Sequence, residues 1–409
     1  MRQDQTQLAN GLRLIGEYNP ESLSLAAGFF CRTGSRDETL AESGVSHFLE
    51  HMMFKGTERL SYDEINKTFD EIGARYNAFT SEENTVYYGQ VLPEYQGRLV
   101  GLLAEMMRPA LRETDFDMEK KVIIEEIAMY ADRPMWIAHD LCRSLHYGTH
   151  PLSQLVLGTT QSITDLRQAQ MLDYFQRRYA ADNLTFVLSG KYDWDAAVAQ
   201  IEAACGGWTP SQAGRDVAGP VAGAGVKTTR IDRFQQTNMI LMAPGLAARD
   251  ERRYAASVLA AVIGSGQASR LHWALVAPGL ADRAQLGHDE EDGSGTFAGV
   301  LVCQPEASQR ALDVYRGVLD EVQREGIRAD ELQRATRRFA SGVVLQAESP
   351  LGRLVNVGFN WVYREQQLSM DDWLAQLRAV TVEDCNALLA ERPFDQLAVA
   401  AVGPIDELH

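Results

Sequence analysis

The segment Gly44-Val45-Ser46-His47-Phe48-Leu49-Glu50-His51-Met52-Met53-Phe54-Lys55-Gly56-Thr57 reads as one helix ended at Gly56. At about 100° per residue, His47, Glu50 and His51 fall on one face, while Val45, Phe48, Leu49 and Met52 form an apolar flank. One side packs and the other is free for chemistry. Imidazoles at i and i+4 can hold one zinc ion from a single turn, and a carboxylate at i+3 stands beside them without being a ligand. An H-x-x-E-H string is short enough to recur by chance, so the rest of the chain must supply what such a site lacks.

A zinc ion that leaves its fourth position open needs a third protein ligand. The helical stretch Thr114 to Tyr130 offers Glu119, Glu125 and Glu126. Glu119 and Glu126 lie about 20° short of two full turns apart and share a face, whereas Glu125 is rotated by roughly 100°. The pair is separated by roughly 10 Å along the axis, too far for both to reach one ion. One of them is a ligand and the other stands outside the metal shell.

Outward from these helices, Leu23 to Cys31 and Val86 to Leu92 have strand character, and Tyr62 to Gly73 and Glu94 to Met107 have helical character. The chain repeats this organisation. Asp182 to Gly190 and Asp395 to Gly403 are each an apolar strand ended by glycine, after helical segments with cap signals at Thr164-Asp165 and Thr381-Val382-Glu383. Between the halves, Gly206 to Gly225 is rich in Gly, Ala and Pro and has no periodicity. The expected organisation is an N-terminal half with the metal motif (1–205), a linker (206–228) and a homologous half without it (229–409). A sheet covered by helices, made twice, fits this pattern.

At 409 residues the chain exceeds what one core supports. No apolar run reaches the roughly 18 residues of a bilayer span, and the N-terminus lacks a basic start followed by an apolar stretch, so a cytoplasmic protein with no membrane partner is expected. The net charge of −17 argues against nucleic acid, whose phosphates require clustered Lys and Arg. Cys31, Cys142, Cys205, Cys303 and Cys385 are scattered without a C-x-x-C pair and read as buried thiols.

Three segments together resemble the inverted-motif zinc peptidases, the family of pitrilysin, insulin-degrading enzyme and mitochondrial processing peptidase. They are His47 to Thr57, Asn77-Ala78-Phe79-Thr80-Ser81-Glu82, and Glu125-Glu126-Ile127 with Asp132 and Pro134. The resemblance covers nearly the whole chain and is similar in length to the shorter bacterial and processing-peptidase-type members. It implies two homologous α+β halves, each a mostly antiparallel sheet covered by helices, in subunits that pair into a hollow clamshell. It also implies Zn²⁺ on His47, His51 and Glu126, Glu50 as general base, Glu119 in the outer shell, and Asn77, Ala78, Phe79 and Thr80 as an edge strand that holds extended peptide substrate.

The resemblance fails at one place. Active members carry an Arg and a Tyr in a segment like S-R-L-x-x-x-L-R-x-x-x-G-L-A-Y, and here Ser269 to Asp282 has Leu275 or Val276 at the arginine position and Asp282 at the tyrosine position. Losing one oxyanion donor costs about 10² to 10³ in rate. A zinc endopeptidase subunit for short or unfolded peptides, active with a homologous partner that supplies Arg and Tyr in a heterodimer, is therefore expected. Arg270 and Arg283 are the local substitutes to consider. The alternative is a non-catalytic scaffold or peptide-binding subunit of a larger complex.

Overall fold

Strand and helix boundaries follow the apolar patterning closely, except that the H-x-x-E-H helix, expected to run to Gly56, ends at Met52 and gives way to a turn. In the computed structural model, which describes residues 1–409, the chain forms two compact units that interleave along the sequence. The first comprises residues 1–127, 154–216 and 345–369, and the second 128–153, 217–344 and 370–409.

The first unit holds strands β1 (Arg2–Gln7), β2 (Arg13–Tyr18), β3 (Leu25–Cys31), β4 (Arg75–Thr80), β5 (Thr85–Val91) and β6 (Leu184–Gly190), in the order β1-β2-β6-β3-β5-β4. All pairings are antiparallel except β2 with β6. The central strands read as unbroken apolar runs because both faces are covered. Phe29, Tyr87 and Phe186 point to the main core with Phe48, Leu49 and Met52 of the Val45–Met52 helix. Ala26, Phe30, Val86 and Val187 point the other way, onto Leu354, Val357 and Val362 of the Pro350–Arg364 helix. Gly358 lies against the Phe30 ring so closely that a Cβ would overlap it. A buried ion pair, Arg353 Nη2 to Glu17 Oε2 at 2.5 Å, fixes the same helix on the sheet.

The second unit holds β7 (Gly225–Arg230), β8 (Thr237–Pro244), β9 (Arg283–Glu291), β10 (Ser294–Cys303) and β11 (Ala398–Gly403), in the order β7-β11-β8-β10-β9. The only parallel pairing is β7 with β11. Strand for strand this is β2-β6-β3-β5-β4 repeated, the duplication expected from the chain's two glycine-ended strands. The outer face of this sheet is covered by the Pro134–Tyr147 helix, through Ala138 and Cys142 against Ile240, Met242, Ala400 and Val402. Each sheet is thus covered by a helix drawn from the other half of the chain.

Local differences from the sequence reading have clear causes. Thr164 caps nothing: it sits inside the Thr160–Asp165 helix with its hydroxyl on the Thr160 carbonyl, and Thr159 caps that helix instead. Thr381 does cap the Val382–Ala390 helix, its reciprocal partner being Asp384. Residues 209–224 form no helix or strand, and 225–228 already belong to β7. No helix is long and apolar enough to cross a membrane. All five cysteines are buried free thiols.

Candidate metal centre

The Val45–Met52 helix is seated from its N-terminal end. The Glu38 carboxylate accepts the backbone N–H groups of Gly44 and Ser46 at 2.7 Å each, satisfying donors that no intrahelical carbonyl can reach. Its apolar flank is wholly in the core, with Phe48 stacked on Phe116 of the Glu113–Tyr130 helix at 4.6 Å between ring centroids. That stacking sets the two functional helices side by side.

Two imidazole nitrogens then converge on one carboxylate oxygen. His47 Nε2 and His51 Nε2 lie 3.8 and 3.6 Å from Glu126 Oε2. Ligand atoms of His47, His51 and Glu126 all lie within 4.8 Å of one another. A tetrahedral zinc with bonds of about 2.0–2.2 Å separates its ligand atoms by roughly 3.4 Å, so these gaps are too long for hydrogen bonds and near a metal-site edge. The donor set of two imidazoles and one carboxylate fits zinc. Glu125, one residue earlier, is exposed.

The outer groups set which atoms face the site. Glu119 is buried, and its Oε1 lies 2.9 Å from His51 Nδ1 while its Oε2 lies 2.5 Å from Lys55 Nζ. This contact leaves His51 Nε2 for a metal, the carboxylate–histidine pattern that orients metal ligands. Burial drives the Glu119 pKa up, but the hydrogen bonds from His51 and Lys55 outweigh it and hold the group below its ordinary value. Burial, followed by the neighbouring His51 charge, lowers His47 to about 3, so its imidazole is neutral, the form that binds metal. His51 is raised: burial opposes its charge, but Glu119, Glu126 and Glu50 together prevail.

Glu50 stands on the same helix face, and its Oε2 accepts the Thr80 hydroxyl at 2.5 Å. Burial raises its pKa above the ordinary carboxylate value, with the Thr80 bond and the His51 charge working against that rise. Thr80 ends β4, a strand with a neighbour on one side only, paired to β5 through Asn77 with Tyr88, Ala78 with Tyr87, Phe79 with Val86 and Thr80 with Thr85. Asn77 is exposed, Ala78 buried, and Phe79 and Thr80 half-buried. Lys55 and the Thr80–Glu50 contact escaped the sequence reading. Lys55 lies past the end of the Val45–Met52 helix, so helical spacing does not signal its contact with Glu119, and nothing local encodes the second.

In the second unit the segment that departs from the resemblance is occupied by other interactions. Leu275 is fully buried, Asp282 accepts from Gln236 at 2.7 Å, and Arg270 is held by Glu331 at 2.9 Å and by the Gly326 carbonyl. Arg283 sits on the edge strand β9, donating to Gln285 at 2.7 Å.

A twice-made sheet-and-helix fold with one His-His-Glu cluster in the first copy, its histidines on the H-x-x-E-H helix and its glutamate on the Glu113–Tyr130 helix, defines a class. The profile of Insulinase (Peptidase family M16) matches residues 13–160, that of the Peptidase M16 inactive domain matches 165–339, and the chain belongs to this family. It is 32% identical to an uncharacterized zinc protease of Streptomyces coelicolor, over 98% of this chain and 90% of the relative. It is 31% identical to one of Bacillus subtilis, over 97% of both. Among solved structures, a peptidase M16 inactive domain from Pseudomonas fluorescens superposes with a TM-score of 0.91 at 21% identity, covering 100% of this chain and 99% of that one. A protease from Helicobacter pylori superposes with a TM-score of 0.90 at 19% identity, covering 98% and 99%.

Proposed function

We propose that this chain is the zinc-bearing subunit of a metalloendopeptidase that cleaves short or unfolded peptides. The observation that carries the reading is the convergence of His47 Nε2 and His51 Nε2 on Glu126 Oε2, with the Glu50 carboxylate on the same helix face. His47, His51 and Glu126 would hold the ion and Glu119 would orient His51. Zinc held there supplies Lewis acidity and lowers the pKa of water from 15.7 towards about 7. Thr80 occupies Glu50 Oε2, so Glu50 takes the proton of the attacking water at Oε1 and later returns it to the leaving amine. The open side of β4 would bind an extended peptide by main-chain hydrogen bonds, giving affinity with little demand on side chains.

The Lys55–Glu119–His51 chain makes a prediction that two variants test. Lys55→Met removes the charge beside Glu119, and Glu119→Gln removes the acceptor of His51 Nδ1. Each is expected to weaken zinc binding or activity by about 10- to 100-fold, measured by chelator competition and peptide hydrolysis. Unchanged zinc affinity and turnover in both variants would remove Glu119 from the metal site.

The same reading makes the chain one half of an enzyme. A homologous partner would supply the Arg and Tyr absent at Leu275 or Val276 and at Asp282, since Arg270 is committed to Glu331. The zinc-loaded chain alone is expected to hydrolyse an unstructured peptide at least about 10²-fold more slowly than with its partner. Full activity of the lone chain at equal zinc content sinks the partner requirement. Stoichiometric zinc and peptide binding without cleavage in any mixture would favour a peptide-binding subunit.

A further inference from the structure

The linker is more than a spacer. Its residues are stitched to the first unit one after another: Trp208 lies under the Arg108 guanidinium at 3.6 Å, Ser211 and Gln212 donate N–H groups to Asp182, and the Gly214 carbonyl accepts from Arg178. Next comes Arg215, whose side chain is 1% exposed although it lies in a stretch with no helix or strand. It pairs with Asp37 at 2.6 Å, donates to the Glu83 carbonyl and lies 3.8 Å from the Glu83 carboxylate. Burying a guanidinium is costly unless its partners are fixed, and here Asp37 ends the Ser35–Asp37 turn while Glu83 lies in the turn between β4 and β5.

Two paths run from Arg215 to the metal-binding helix. Glu83 belongs to the Ser81–Asn84 turn joining β4 to β5, and the residue before that turn is Thr80, whose hydroxyl holds Glu50 at 2.5 Å. Asp37 is bound by Arg178 at 2.9 Å, Arg178 donates to Thr33 at 3.0 Å, and Thr33 and Ser46 both bond the Tyr174 hydroxyl at 2.7 Å. Ser46 precedes His47. One linker side chain therefore braces the end of the edge strand and the start of the helix.

We propose that Arg215 is a positioning residue, a linker strap that holds the β4–β5 hairpin in the register needed for peptide binding and for the Thr80–Glu50 contact. The kinetic part rests on reading β4 as the peptide-binding edge; the structural part does not. Substitution is tolerable on charge grounds. Asp37 and Glu83 face Arg36, Arg178 and Arg215, so Arg215→Met leaves two acids against two guanidinium groups.

The test compares hydrogen exchange and kinetics of the zinc-loaded full chain as wild type, Arg215→Met and Arg215→Lys. Arg215→Met is expected to speed amide exchange in Ser81–Val86 by about tenfold, the loss of a charged buried hydrogen bond, with β1 and the Trp194–Cys205 helix unchanged. Arg215→Lys restores the charge without the two-pronged geometry and falls between. KM for an unfolded peptide rises with the hairpin exchange rate while kcat changes less. Exchange within twofold of wild type in the hairpin overturns the proposal, as does uniform acceleration across the first unit, which would make Arg215 a general stabiliser. If the wild-type chain cleaves nothing, alone or mixed with a homologous partner, the exchange result still decides the strap, and only the peptidase reading has failed.

Discussion

Glu50→Gln is expected to lower peptide hydrolysis by about 10²- to 10⁴-fold while the protein keeps a full equivalent of zinc. The substitution is nearly isosteric, and the amide oxygen can still accept the Thr80 hydroxyl, so helix and hairpin keep their contact. What it removes is the ability to take up a proton at neutral pH. Glu50 lies beside the two histidines on the helix face, yet it is the Glu126 oxygen, not that of Glu50, that both Nε2 atoms approach. Loss of turnover with retained metal is the signature of a base that is not a ligand. The assay is single-turnover cleavage under conditions where the unmodified chain is active, with metal content measured on the same samples. Loss of zinc in parallel with activity would move Glu50 into the ligand set, and wild-type turnover would leave the water without its assigned base.

The parts of this site that could be read from the sequence are those encoded within one helix turn or two. The 100° step puts His47, Glu50 and His51 on one face and separates Glu125 from Glu119 and Glu126, and the folded chain turns Glu125 outward. The duplicated topology was likewise legible, because buried strands such as β3, β6, β8 and β11 leave apolar runs. What was illegible depends on contacts between distant residues. Nothing in Pro350–Arg364 states that its apolar face will cover Phe30 and Val187, and nothing in Pro134–Tyr147 states that it will cover β8 and β11. Arg215 was hidden for a different reason: average composition labels a segment by its glycines and alanines, and one buried arginine does not alter the average.

The sharpest separation of neighbouring residues should come from Glu126→Gln set against Glu125→Gln. Structural zinc sites bind with about 10–16 kcal/mol, so one of four ligand positions accounts for roughly 2.5–4 kcal/mol, or about 10²- to 10³-fold in affinity. Glu126→Gln keeps an amide oxygen near both imidazoles but loses the carboxylate charge, so the site must hold a doubly charged ion with neutral donors alone. Zinc affinity measured by chelator competition should fall by that factor, and activity should fall with zinc occupancy. Glu125→Gln, on the exposed side of the same helix, removes the same charge from the adjacent position and should alter neither. Thermal unfolding provides a readout that needs no substrate, because a ligand that binds only the folded state stabilises it. Saturating zinc should raise the melting temperature of the wild type and of Glu125→Gln, and much less that of Glu126→Gln. If the two variants behave alike, charge near the histidines matters and the geometry assigned to Glu126 does not.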